Sequence, residues 1–132
     1  MKFFSFLTIS LFFITSCKKT PIDYREKYLG DYTFLYSHSS WSINNSESTT
    51  EEKESTGEVY YDGEAKDSLI HIKVAENLIF ECTIDEDGNI KNCGGNGVFE
   101  NNSKLTFDYK SISCPGNGNG GGIEYSIQGN KK

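Results

Sequence analysis

No apolar run in this 132-residue chain is long enough to cross a membrane as a helix: the longest, Phe3 to Ile14, has about a dozen residues where a span needs about 20. Basic residues are scarce beside acidic ones, 13 against 19, and the resulting net charge of −6 argues against nucleic acid or an anionic membrane surface as partner. There are only two histidines, His38 and His71, each alone in a strand-like stretch. Zinc needs clustered ligands, so both read as solvated surface residues. Helical periodicity is nearly absent, and with it the strand-to-helix elbow that would present a nucleophilic serine. The carboxylate pairs Glu51-Glu52 and Asp85-Asp87 fall in stretches that read as wet loops, where carboxylates are not tuned for acid–base work. The glycine-rich run from Gly116 to Gly122 lacks the Lys-Ser/Thr and helix of a phosphate loop. Asp85-Glu86-Asp87-Gly88-Asn89 resembles a calcium loop, but its glycine falls two places too early and Asn96 stands where the bidentate Glu belongs. These absences predict a protein that is not an enzyme and holds no cofactor or metal.

What is present begins with an address. Lys2 supplies a positive start, Phe3 to Ile14 the apolar stretch, and small polar residues follow, which is the layout of a secretory signal. The close, Ile14-Thr15-Ser16-Cys17, resembles the bacterial lipobox, in which an aliphatic residue, two small residues and a cysteine direct lipid attachment and cleavage. Residues 1–16 are then a lipoprotein signal peptide, Cys17 is the acylated first residue of the mature chain, 18–22 are a tether, and 23–132 form one β domain. Two or three acyl chains of palmitate length, at about 0.8 kcal/mol per buried CH₂, hold such a protein on its membrane. The expected location is the bacterial cell envelope. Lys18-Lys19, rather than an inner-membrane retention Asp, favours the outer membrane, on its periplasmic or surface-exposed face.

The mature 116 residues suffice for one domain with a real core. Asp23 to Leu29 is the only stretch with helical character, about two turns capped by Asp23 and ended by Gly30. From Asp31 the period becomes two. Tyr32, Phe34 and Tyr36 share one face, and Trp41 and Ile43 follow in the opposite phase, which a bulge near Ser39-Ser40 would reconcile. Asn44 to Ser55 is polar and acidic throughout and reads as a solvated hairpin loop. Alternation returns at Val59 and Tyr61; at Ile70, Ile72 and Val74; at Leu78, Phe80, Cys82 and Ile84; at Leu105, Phe107 and Tyr109; and at Ile123, Tyr125 and Ile127. Short strands with one apolar face, separated by Gly, Asn and Asp turns, predict a mainly β, antiparallel up-and-down meander curled into a small barrel or half-barrel behind one short N-terminal helix.

Tyr28-Leu29-Gly30-Asp31-Tyr32-Thr33-Phe34 near the start resembles small uncharacterised lipoproteins of Bacteroidetes-type bacteria. So does the close: Asn96-Gly97-Val98-Phe99, then Leu105-Thr106-Phe107, then Gly120 through Lys132. The likeness covers most of the mature chain and implies a lipocalin-like β fold and export to the periplasm or cell surface. It implies no activity. Cys114-Pro115 and the Asn-interrupted glycine loop depart from the unbroken glycines such proteins tend to carry.

With Cys17 acylated, Cys82, Cys93 and Cys114 remain, and outside the cytoplasm one bridge and one odd thiol is the simplest count. A two-residue Asp87-Gly88 turn sets Cys82 opposite Cys93, within disulfide range. A three-residue Glu86-Asp87-Gly88 loop shifts the pair to a diagonal, and pairings with Cys114 stay open. Two function classes follow. One is a lipid-anchored binding or accessory module, its surplus aromatic rings lining a cavity for a small apolar or glycan ligand. The other is a structural or protein-interaction lipoprotein without such a pocket, meeting an envelope protein through an outer face carrying Trp41 and Leu35.

Overall fold

The computed structural model describes residues 23–42, 45–62, 68–111, 114 and 121–132. The signal peptide, Cys17 and the tether lie outside the described residues, as do 43–44 and 115–120. Eight antiparallel strands run in chain order around a closed barrel: β1 Gly30–Ser42, β2 Asn45–Tyr60, β3 Leu69–Ala75, β4 Leu78–Ile84, β5 Asn89–Lys91, β6 Gly95–Glu100, β7 Lys104–Lys110 and β8 Gly121–Lys131. β8 closes the barrel on β1, from Tyr32↔Lys131 to Ser42↔Gly121. The up-and-down barrel expected from period-two alternation is therefore what forms, and closure leaves no edge where the ladders are complete.

Inward positions carry the core: Tyr32 and Phe34 from β1, Val59 from β2, Ile70, Ile72 and Val74 from β3, with Phe80, Cys82 and Ile84 from β4. Ile90, Phe99, Leu105, Phe107 and Ile127 complete it from the remaining strands. A barrel of this size has to match large rings with small neighbours, and glycines do so here. An added Cβ at Gly129 would come within 2.7 Å of the Phe34 ring, and at Gly95 within 2.8 Å of Phe107. Glycines of β6 and β8 thus make room for the rings of their neighbours, keeping the interior dense at that level.

One end is plugged. The expected two-turn helix is instead a single 3₁₀ segment, Tyr24–Tyr28. Asp23 does cap it, accepting from the Arg25 backbone N–H at 3.0 Å. Gly30 does not end it: the chain is already extended at Leu29, and Gly30 opens β1 at φ +130°, a region closed to side chains. The segment stays short because its side chains are tied to the barrel rim. Tyr24 donates to the Ile84 carbonyl at 2.9 Å, Arg25 Nη1 to the Leu69 carbonyl at 2.8 Å, and Lys27 Nζ to the Glu86 carbonyl at 3.0 Å. Tyr28 stacks on Phe99 with ring centroids 4.7 Å apart, and Tyr32 donates to the Tyr28 carbonyl at 2.7 Å.

The acidic run expected to be a loop is strand. β2 pairs with β1 from Gly30↔Val59 to Ser42↔Asn45, and Glu51, Glu52, Lys53 and Glu54 are exposed along it. The long β1 supplies a full ladder of backbone bonds, so this part of β2 needs no apolar face. The irregularity expected near Ser39-Ser40 falls between Ser40 and Ser42. The β2–β3 ladder covers only Glu58–Tyr60, with Ser55 Oγ also donating to the Val74 carbonyl, so the β1–β2 hairpin extends well past the shorter strands.

A candidate binding slot in the barrel wall

The unequal strand lengths open the barrel on one side. β4 and β5 share two pairs, Thr83↔Lys91 and Ile84↔Ile90, after which β5 ends and turns back through Asn92-Cys93-Gly94 into β6. Asn92 N–H donates to the Gly95 carbonyl at 3.0 Å, and the Asn92 side chain accepts from Gly94 N–H at 3.0 Å, which fixes that turn. On the side away from β3 the rest of β4 faces no described strand, only the β5–β6 turn and the ends of β7 and β8, which pair through Tyr109↔Tyr125 and Lys110↔Glu124 level with Gly95 and Gly94. The gap between these walls is a slot of about 730 Å³, within the range of ligand sites.

The lining is apolar and aromatic. Phe80, Tyr109 and Tyr125 form its back, with centroids 5.2 Å apart for Phe80–Tyr109 and 5.7 Å for Phe80–Tyr125. Of the four large hydrophobic residues the described chain exposes, Leu69 (37%), Ile79 (48%) and Ile123 (40%) all line this slot. The fourth, Leu35, lies elsewhere among polar neighbours and makes no patch. Single exposed apolar side chains are ordinary, whereas three converging on one opening mark a binding surface.

Tyr125 joins the slot to the open barrel mouth, where Tyr36, His38 and Lys53 gather. Burial pushes the Tyr125 phenol above its usual range, and the neighbouring Tyr36 and Tyr109 add to the shift. Lys53 pairs with Glu51 at 2.7 Å, which raises the ammonium and lowers the carboxylate. His38 stacks on Tyr125 with centroids 5.0 Å apart, and His71 stacks on Tyr60 at the same separation, with Asp62 3.5 Å from its Nε2. Both histidines, expected to be solvated, are half-buried against tyrosine rings. Trp41 is half-buried as well, its indole laid over Gly122. Among the described residues no group of three His, Cys, Asp or Glu is placed to hold a metal ion.

The cysteines correct the favoured pairing. The bridge joins Cys93 to Cys114, with Cα atoms 4.9 Å apart, and Cys82 is a free buried thiol. The turn after β4 is the three-residue Glu86-Asp87-Gly88 loop: Asp85 N–H donates to the Asn89 carbonyl, Gly88 takes φ +87°, and the Asp85 carboxylate accepts from Asp87 and Asn89. Those bonds hold the Asp85 carboxyl below its usual range. The resulting register sets position 92, not 93, across from Cys82. Cys82 then points inward at 1% exposure while Cys93 belongs to the outward set, so the two cannot meet. Burial pushes the Cys82 thiol up to about 12, with Glu81 adding to the shift, so it is a packed side chain and not a nucleophile.

The bridge pins the β5–β6 turn at the foot of the slot, and Tyr109 Oη lies 3.6 Å from Cys114 Sγ. Closing a loop of 21 residues stabilises by about 2–3 kcal/mol. Cys93→Ser should lower the unfolding free energy read from urea denaturation by that amount, and reductant should bring the parent protein to the same stability while leaving the variant unmoved.

With this geometry in view, the chain was compared with known proteins. No family model, curated protein or solved structure matches it.

Proposed function

We propose that this protein is a lipid-anchored binding module of the bacterial cell envelope, held through Cys17 and binding its ligand in the wall slot. The supporting observation is the convergence of Leu69, Ile79 and Ile123 on an opening backed by three aromatic rings. The anchor half rests on the lipobox-like Ile14-Thr15-Ser16-Cys17 and on the resemblance to small Bacteroidetes-type lipoproteins. Five residues separate Cys17 from Asp23, and the six steps between them reach about 20 Å at most, which would keep the plugged end near the bilayer.

Each half has its own readout. In an acylating bacterial host, Cys17→Ser should abolish incorporation of labelled palmitate and move the protein from the membrane to the soluble fraction; unchanged labelling rejects the anchor. For the slot, the neutral dye Nile red should bind with a blue-shifted emission, and Ile79→Lys should weaken that binding about tenfold, the equivalent of one lost apolar side-chain contact. Leu35→Lys, an exposed change outside the slot, should not. Equal effects from the two substitutions, or none from Ile79→Lys, reject the slot as the binding site.

A further inference from the structure

The outer wall of the slot is a strand edge. Ile84 N–H donates to the Ser68 carbonyl on the β3 side and Asp85 N–H to the Asn89 carbonyl on the β5 side. Antiparallel backbone groups alternate between sides, so Cys82 and Phe80 bond to β3 whereas Glu81 and Ile79 direct their N–H and C=O groups toward the vacant side. Four backbone groups in succession thus face the slot above the last β5 pair. Side chains do little to guard this edge: Ile79 is apolar and nearly half exposed, and no proline stands in β4.

We propose that the slot accepts an extended segment of a second, different polypeptide, added as a strand to the Ile79–Glu81 edge of β4. The inference rests on the slot being the binding site and names its partner class. A purely apolar ligand would cover four peptide groups without pairing them, each costing about 1–3 kcal/mol, whereas an added strand satisfies all four. Past Thr83↔Lys91, no described residue is a ladder partner of β4 on that side.

Register then sets the partner's chemistry. Guest residues opposite Ile79 and Glu81 point outward, so the first is apolar and the second basic; the residue between them points inward onto Phe80, Tyr109 and Tyr125 and is aromatic or aliphatic. A basic guest also suits a chain of net charge −6. Lys91, one pair below Glu81 and also lining the slot, moderates this preference to a severalfold effect.

The test uses the mature acylated protein in nanodiscs and a capped hexapeptide, threonine-valine-lysine-phenylalanine-valine-threonine, whose order suits antiparallel addition, followed by residue-level hydrogen–deuterium exchange. In the free protein the amides of Ile79 and Glu81 should exchange much faster than those of Phe80 and Cys82. Peptide at millimolar concentration should slow the two fast amides at least tenfold, and the same peptide methylated on alternate backbone nitrogens should not. Glu81→Lys should weaken the lysine peptide about threefold to fivefold at low salt and favour its glutamate counterpart. Protection of Ile79 and Glu81 before any peptide is added overturns the proposal: if dilution leaves it, the chain covers its own edge, and if dilution relieves it, a second copy does. No protection at millimolar peptide, or equal protection by the methylated peptide, also overturns it. If the peptide fails while Nile red binding stays sensitive to Ile79→Lys, the strand proposal falls and the slot remains a site for apolar molecules. If the dye fails too, the binding function falls with it.

Discussion

Asp23→Ala is expected to destabilise the barrel by about 3–5 kcal/mol, read as a lowered urea midpoint with unchanged slope. The size follows from Arg25, which is 3% exposed and is the one buried charged residue among the described residues. Its guanidinium is held by the Asp23 carboxylate, with Nε 3.0 Å from both carboxylate oxygens and Nη2 2.5 Å from Oδ2. The Leu69 carbonyl takes Nη1, and the Tyr61 ring lies 4.2 Å from the guanidinium carbon. Removing the carboxylate leaves a buried cation without its counterion, and a cation there repels the ordering of the whole plug. Arg25→Met removes both the charge and its need for a partner, so it should cost clearly less than Asp23→Ala.

The same pair gives an acid dependence with a definite sign. Hydrogen bonds from Arg25 hold the Asp23 carboxyl below its usual value of 3.8, so folding favours the ionised form. That contribution is complete above the unfolded value, and it is lost as pH falls below about 4 through the depressed folded value. Asp23→Asn keeps one oxygen acceptor at the cap but carries no charge. It should be less stable than the parent at neutral pH, with the gap narrowing under acid. A gap independent of pH, or a cost of Asp23→Ala below about 1 kcal/mol, would show that the plug is not locked by this ion pair.

How much of this was legible depends on whether a residue's neighbours leave a mark in its own strand. β3, β4 and β7 were readable because one face meets the core along the whole strand, so Ile70, Ile72 and Val74, or Leu105 and Phe107, alternate without interruption. β2 was not, because from Thr50 to Glu54 both faces meet water and the strand is held by its ladder with β1 alone. β6 was hidden for the opposite reason. Its inward positions Gly95 and Gly97 carry no hydropathy, since the space belongs to Phe107. The cysteine pairing turned on whether the loop after β4 has two residues or three, and Asp-Gly serves both. The slot is a consequence of β5 stopping after three residues. One trace of it stood in the sequence: Leu78-Ile79-Phe80 breaks the alternation, placing an isoleucine on the outward face where a buried wall would have needed none. The place where the wall opens could be found only from the lengths of neighbouring strands.

Gly57→Ala should cost about 3 kcal/mol or more, at the upper end of what one added methyl does to a packed interior. Gly57 lies where β2, paired with β1 at Tyr32, first comes alongside β3, one residue before Glu58↔Lys73. A Cβ there would sit 1.9 Å from the Lys73 carbonyl oxygen and 3.0 Å from the Phe34 ring. The carbonyl belongs to a backbone already committed to β4 through Lys73↔Ile79, so it cannot retreat without loosening the β2–β3 seam. That seam has only three pairs, and it is where the barrel is most thinly closed between two long neighbours. Gly129→Ala is the informative contrast. Its nearest atom is the Phe34 ring at 2.7 Å, which can tilt, so a cost of about 1–2 kcal/mol is expected. Phe34→Leu, which removes the ring, should then couple strongly to Gly129→Ala in a double-mutant cycle and weakly to Gly57→Ala. Equal coupling in both cycles would mean that the ring, and not the Lys73 carbonyl, is what the glycine of β2 accommodates.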